Sequence, residues 1–326
     1  MKKAGILLLL AVLIAGAYFK FDYLAEPTYP EEPELFVIES GSSVRAIARQ
    51  LEDEGWIRSA RLFEIYVIIN DDQGSLQAGT YQFETGDNIF QIANRLVNGQ
   101  AASYRVTVPE GFTVDEIINR LASLEHLDKE ELLTALTNDS LMRDYFPDGS
   151  EIGWKQEGFL FPDTYNFTYE MEPVDILNAM INRFENHWLD RFEDNENSYS
   201  INEYVTIASL VEKEAKLSEE KPLIASVIYN RLDQNMRLQL DATVQYALED
   251  RVSRVFYSHL EVDSPYNTYR NHGLPPGPIA SPGDDALAAV LEPEESEYLF
   301  YFAIPDGSHI FTKTYEEHLE RLRKFR

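Results

Sequence analysis

Gly41-Ser42-Ser43-Val44-Arg45-Ala46-Ile47-Ala48-Arg49-Gln50-Leu51 carries a pattern that the chain uses three times. Counting from the glycine, a polar residue stands at +2 and apolar or small residues follow at +3, +6, +7 and +10. The second copy starts at Gly86, with Asn88 and then Ile89, Ile92, Ala93 and Leu96; the third starts at Gly111, with Thr113 and then Val114, Ile117, Ile118 and Leu121. Those spacings trace one face of a helix. Ser43, Asn88 and Thr113 are residue types that satisfy the orphan amides at a helix start. A strand-like segment precedes each glycine, so each copy predicts a strand, a tight glycine turn and a capped amphipathic helix.

Outward from these units, Tyr104–Val108 and Tyr298–Ala303 read as strands, and the regions 114–123, 173–189, 203–217 and 220–232 read as helices. Strands lie among helices without a regular βαβ alternation, which gives the class α+β. The polar run Glu193-Asp194-Asn195-Glu196-Asn197-Ser198 reads as an exposed loop leading into the helix over 203–217. Glu26-Pro27-Thr28-Tyr29-Pro30-Glu31-Glu32-Pro33-Glu34 reads as an extended, solvated spacer.

Before the spacer, Lys2 and Lys3 lead into an unbroken apolar or small-residue run from Ala4 to Phe19, followed by Lys20, Phe21, Asp22, Tyr23 and Leu24. As a helix the run reaches about 24 Å against a hydrocarbon core of roughly 30 Å, and Lys20 can snorkel. A single-pass anchor is expected, with the lysines on the cytoplasmic side and the body outside the cytoplasm. A cleaved signal peptide is the alternative, since Ala15-Gly16-Ala17 offers small residues for cleavage.

With 326 residues there is room for two or three packed domains. The 56 acidic against 28 basic residues leave a net charge of −28, which repels phosphate backbones and argues against nucleic acid as a partner. The absence of cysteine excludes disulfides, thiolate zinc sites and cysteine nucleophiles. There is no Gly-Lys-Ser/Thr phosphate loop, Gly-x-Gly-x-x-Gly, Gly-x-Ser-x-Gly or His-Glu-x-x-His. The six histidines have no paired metal spacing and read as surface or core residues, His272 being the least settled.

Two carboxylates compete on the helix that begins near Tyr204. At 100° per residue Glu214 falls among Ile207, Leu210, Val211 and Leu217, inside the apolar stripe. Glu212 lies beside Val205, Ala208, Ser209, Ala215 and Lys216, a face with polar edges and, in Lys216, a lysine four residues on as a partner, and reads as a structural carboxylate or one that supports the site from behind. A carboxyl enclosed by apolar side chains resists ionisation and can hold a proton for a leaving oxygen; a buried structural ion pair is the competing reading. From Leu238 to Tyr246 polar and apolar residues nearly alternate, so a strand there presents Gln239, Asp241 and Thr243 on one face, a set suited to a sugar cleft. Tyr266-Asn267-Thr268-Tyr269 and Gly273-Leu274-Pro275-Pro276-Gly277-Pro278-Ile279 read as a rigid loop with aromatics able to stack on pyranose rings. An ordinary hairpin followed by an irregular loop reads these stretches equally well.

The glycine-turn units resemble LysM-like glycan-binding modules. Taken with Glu157-Gly158-Phe159-Leu160-Phe161-Pro162-Asp163-Thr164-Tyr165, Ala208–Glu214, Ala225–Leu232, Met236–Tyr246, Tyr266–Tyr269, Gly273–Ile279 and Ser281-Pro282-Gly283, nearly the whole chain resembles the MltG or YceG-like family of endolytic murein transglycosylases. The resemblance implies residues 1–25 as cytoplasmic stub and transmembrane anchor, 26–34 as linker, 35–103 as a LysM-like domain and 104–326 as a catalytic domain. It implies non-hydrolytic cleavage between N-acetylmuramic acid and N-acetylglucosamine with Glu214 as acid and then base, no metal or cofactor, and peptidoglycan strands, the cytoplasmic membrane and cell-wall synthases as partners. Glu157, Asn230, Gln239, Asp241, Thr243, Asn267 and Tyr269 are the cleft candidates. The acidic stretch around Asp190 to Ser198 has no counterpart in that reading. A lysozyme-type hydrolase, with Asp241 or Glu157 as second carboxylate, and a non-catalytic glycan-binding scaffold are the alternatives.

Overall fold

The structure, a computed structural model, describes Gly16 and residues 35–325 except 125, 142–144, 146–152, 194, 196–198, 249–251, 253 and 254. The apolar segment Ala4–Phe19 and the spacer thus lie outside the described residues, apart from Gly16 alone. Among the described residues no helix is long and apolar enough to cross a membrane.

The chain forms two compact units, one comprising residues up to Arg105 with Asn166–Met171, the other Val106–Tyr165 with Glu172–Arg326. In the first, strand β1 (Leu35–Ile38) leads to helices α1 (Val44–Asp53) and α2 (Ala60–Ile69), then to β2 (Gly79–Gln82) and α3 (Ile89–Val97). β1 and β2 pair antiparallel, Leu35 opposite Gln82 and Ile38 opposite Gly79. The expected turns and caps are present: Gly41 and Gly86 have φ of +82° and +103°, Ser43 caps α1, and Asn88 caps α3 in a reciprocal box with Gln91. The periodic residues Ile47, Ala48, Leu51, Ile92, Ala93 and Leu96 are buried with Phe36, Phe63, Tyr81 and Phe83 in one core.

After β3 (Ser103–Thr107), the third copy of the glycine-turn pattern repeats this design. Gly111 (φ +73°) precedes α4 (Val114–Ala122), whose cap Thr113 forms a box with Glu116. There follow α5 (Lys129–Ala135), β4 (Thr164–Thr168), α6 (Pro173–Phe184), α7 (Ile201–Glu214), α8 (Lys221–Asp233), α9 (Asp241–Ala247), α10 (Asp284–Leu291), β5 (Phe300–Ala303), β6 (His309–Thr312) and α11 (Tyr315–Phe325). β3 pairs with β4, and β5 pairs antiparallel with β6, Phe300 opposite Thr312 and Ala303 opposite His309. Two-stranded ribbons among many helices are what an α+β class means.

α7 is the centre of the second unit. Tyr204 through Val211 are all buried, and α8, α9 and α10 pack around it. Both of its faces are therefore enclosed, including the one beside Glu212 expected to have polar edges. α7 also stops at Glu214 rather than running to residue 217. Ala215 is already extended (φ −79°, ψ 127°), although nothing in Ala215-Lys216-Leu217 disfavours a helix. Beyond that break, Glu220 is bound by the backbone and ring of His309 on β6.

The helix expected over 173–189 ends at Phe184 and continues through a π-turn, Glu185–Leu189, into the short helical segment Asp190–Glu193, where Phe192 is buried. Most of the polar run after it lies outside the described residues. The Pro/Gly loop packs along α7: Ser209 Oγ accepts from the Ile279 amide at 3.1 Å, and Asn202 Nδ2 donates to the Pro276 carbonyl at 3.3 Å. Gly158, at φ +85°, fits under this loop. A Cβ there would lie 2.5 Å from Pro278 Cβ and 2.9 Å from Val205 Cγ1. Left-handed strain and overpacking add, so Gly158→Ala is expected to lose about 2–5 kcal/mol. Thermal unfolding checks this, and an unchanged melting temperature contradicts it.

Candidate active site

Glu214 is the last residue of α7, where the helix dipole opposes negative charge. The residue keeps a partly exposed surface, while burial of its carboxyl raises its pKa and the nearby charge of Asp241 pushes the same way. Three groups oppose the rise: the Tyr301 hydroxyl, which donates to Glu214 Oε2 at 3.1 Å, and the charges of His309 and Arg231. Arg231 on α8 is itself buried, which lowers its pKa. Its Nε donates to the Leu299 carbonyl at 2.6 Å, its other bond goes to the Leu238 carbonyl, and its guanidinium sits 5.3 Å over the Phe300 ring. Arg231 thus ties the start of β5 to the segment before α9.

That segment and the first residue of α9 supply two of the sequence candidates. Gln239 is exposed with φ +50°, a strained conformation for a non-glycine residue, and its amide donates to the Thr268 carbonyl at 3.2 Å. Asp241 opens α9 and is exposed; its Oδ1 accepts from the Tyr269 hydroxyl at 2.6 Å. Tyr269 is partly exposed and electrostatically coupled to Glu214, Asp241 and Arg231. Glu214, Asp241 and Tyr269 therefore belong to one site, joined by Tyr301, His309 and Arg231.

The other candidates do not join them. The near-alternation from Leu238 to Tyr246 is not a strand: α9 begins at Asp241, so Gln239, Asp241 and Thr243 do not share a strand face. Thr243 is fully buried, its hydroxyl donating to the Leu240 carbonyl at 2.7 Å and bonded to Thr268 Oγ1 at 2.9 Å. Asn267 is buried and braces its loop through the carbonyls of Leu260 and Val262. Tyr266 is buried too, leaving Tyr269 as the ring of that pair with accessible surface. Asn230 donates to the carbonyls of Ser296 and Tyr298, fastening the entry to β5. Glu157 is 3% exposed and accepts from the Val114 amide at the start of α4 and from the Tyr246 hydroxyl. These bonds occupy both its oxygens and make it a support for α4 and α9.

Glu212 is a structural carboxylate, with a partner other than the one expected. Because α7 ends at Glu214, Lys216 is not the next helical turn; Lys221 Nζ instead donates to Glu212 Oε2 at 3.0 Å, and the Gly283 amide donates to the same oxygen at 3.2 Å.

The model of the YceG-like family matches residues 36–324. The chain belongs to the YceG-like family. This YceG-like chain is 36% identical over 330 residues to an endolytic murein transglycosylase of Bacillus subtilis strain 168, covering 96% of the chain and 91% of that protein. It is 28% identical over 346 residues to an endolytic murein transglycosylase of Streptococcus pneumoniae strain D39, of whose length the match spans 63%. The crystal structure of a YceG-like protein from Listeria monocytogenes superposes with a TM-score of 0.59 at 35% identity, covering 90% of this chain and all (100%) of that one.

Sequence reading of this YceG-like chain passed over Tyr301, His309 and Arg231. Tyr301 sits in the uniformly apolar run Tyr298–Ala303, where no alternation marks it. Of the histidines, His309 reaches the site, while His272 is exposed with Nδ1 3.0 Å from the Asn235 carbonyl.

Proposed function

We propose that this YceG-like chain is a lyase, an endolytic murein transglycosylase that cuts peptidoglycan strands between N-acetylmuramic acid and N-acetylglucosamine, with Glu214 as the sole proton-transfer residue. The observation that carries the assignment of Glu214 is its carboxyl, driven by burial toward the protonated form and held by the Tyr301 hydroxyl, on a residue that keeps some accessible surface. Protonated Glu214 gives its proton to the glycosidic oxygen, and the C1–O bond breaks to release the 4-hydroxyl of N-acetylglucosamine. The resulting carboxylate takes the proton of the muramyl C6 hydroxyl as O6 bonds to C1. The strand ends in 1,6-anhydromuramic acid, and Glu214 returns to its starting state. Since the nucleophile is the substrate's own hydroxyl, no second protein carboxylate has to form a covalent bond.

Asp241 gives the hydrolase reading its one supporting observation, an exposed carboxylate coupled to Glu214. Mass spectrometry of digested glycan strands separates the two. Anhydro ends are expected; reducing ends alone support the hydrolase, and intact strands support a binding scaffold.

The reaction starts from protonated Glu214, whose pKa lies above the ordinary 4.5. Cleavage is therefore expected to hold below that raised pKa and to fall as pH rises past it. A rate that climbs through this range instead contradicts an acid role for Glu214.

For the first unit we take the β1-α1-α2-β2 order and the capped helices as support for a LysM-like, glycan-gripping module over residues 35–103. Hydrogen exchange of the full chain with soluble glycan strands is expected to protect amides in that range; protection confined elsewhere sinks the assignment. Ala4–Phe19, flanked by lysines, supports a single-pass anchor that keeps the body outside the cytoplasm, beside the cell-wall synthases. Retention in membranes after a salt wash is expected, and a soluble chain starting near Tyr18 overturns it.

A further inference from the structure

We propose that Tyr301 is the positioning residue for Glu214, clamped by the Glu220–His309 pair, and that it reserves one carboxyl oxygen, Oε1, for both proton transfers. The inference rests on the assignment of Glu214 above and goes beyond it by naming the device that orients the carboxyl.

The geometry is a chain of contacts across β5 and β6. Tyr301 lies opposite Phe311 on the antiparallel ribbon, so its diagonal neighbour on the same face is His309. The two rings meet edge to face, with centroids 5.4 Å apart and planes at 88°, and Phe311 flanks Tyr301 at 5.9 Å. His309 is in turn fixed. Its side chain is 4% exposed, its ring Nδ1 lies 2.7 Å from Glu220 Oε2, and its backbone amide donates to Glu220 Oε1 at 2.8 Å. Glu220 closes the short turn Ser218–Glu220 that follows α7, so its carboxylate anchors the hairpin behind Tyr301 to the segment next to Glu214. The Tyr301 ring has little freedom left, and its hydroxyl reaches Glu214 Oε2.

A hydroxyl that donates to Oε2 does so whether Glu214 is neutral or charged, but more strongly when it is charged. It therefore favours the carboxylate that appears as the glycosidic oxygen takes the proton, an interaction that grows along the reaction rather than one spent on the ground state. Burial and the neighbouring Glu214 raise the pKa of Tyr301, so it remains a donor throughout. The charged and titratable groups facing Glu214 are Tyr301 and His309 from the hairpin, Arg231 from α8, Asp241 from α9 and Tyr269 from the loop between α9 and α10. Of these, Tyr301 alone bonds its carboxyl directly.

The test uses the full chain on purified glycan strands, with anhydro ends counted against pH. Tyr301→Phe removes only the hydroxyl. It is expected to lower kcat about 10- to 100-fold with KM within twofold, and to move the alkaline limb of the pH profile upward, because a donor that favoured the carboxylate is gone. His309→Gln, a second variant that loosens the clamp on the Tyr301 ring, is expected to move the limb the same way. A wild-type profile for Tyr301→Phe overturns the proposal, as does a lower kcat with an unmoved limb, which is the mark of simple structural damage. If Glu214→Gln still makes anhydro ends, the assignment of Glu214 fails and this inference with it; a dead Glu214→Gln beside an unaffected Tyr301→Phe removes only the inference.

Discussion

Glu214→Gln is expected to lower formation of anhydromuramic ends by roughly 10³–10⁴-fold, because one side chain is asked to perform both proton transfers and the amide can perform neither. The replacement has nearly the same shape and leaves Tyr301 an oxygen to donate to, so the fold should be undisturbed. Stability should move the other way. A group whose folded pKa is raised, as that of Glu214 is, contributes stability below its unfolded pKa and loses it as pH rises through the folded pKa. Above that point the ionised carboxyl is a liability that glutamine removes. An inactive variant with an equal or higher melting temperature is the expected pair of results. Wild-type product formation, scored by mass spectrometry of muropeptides, contradicts the assignment.

Two residues earlier on the same helix, Glu212→Ala should give the opposite pattern. Glu212 and Lys221 have side chains 10% and 5% exposed and meet at 3.0 Å, with the Gly283 amide completing the set. Truncating Glu212 leaves the Lys221 ammonium buried, with Glu110, at 3.8 Å and half exposed, as its remaining carboxylate. The cost of such a broken buried pair is about 3–5 kcal/mol. For a unit of this size that corresponds to a fall of roughly 10 °C in melting temperature. Replacing both partners by leucine and methionine should recover much of the loss, since no charge is then stranded. A single variant that melts with the wild type would show that the pair is not structural. Activity measured well below the transition should be largely retained, which separates this carboxylate from Glu214.

The three glycine-turn copies were legible because their information is local. A glycine at positive φ, a side chain that caps the next helix and an apolar period of 3.6 are each settled within about ten residues. Gly41, Gly86 and Gly111 with their caps appear where the spacing put them. The segment around Asp241 was misread for the complementary reason. Near-alternation from Leu238 to Tyr246 fits a strand, but no partner strand exists for it among the described residues, and packing against α7 selects a helix. Thr243 then turns inward to Thr268.

The same division runs through the site. Sequence alone determined that Glu214 follows an apolar stripe, and that no cysteine chemistry can occur in this chain. Periodicity reports what a helix carries on each side, a property of consecutive residues. Only the tertiary structure decided where α7 stops and which carboxylate has a buried lysine. It also decided that Tyr301, Arg231 and His309, from 17 to 95 residues further along the chain, surround Glu214. Those contacts join α7 to α8 and to a hairpin remote in sequence, and a carboxyl's proton affinity depends on what encloses it, which no local pattern encodes.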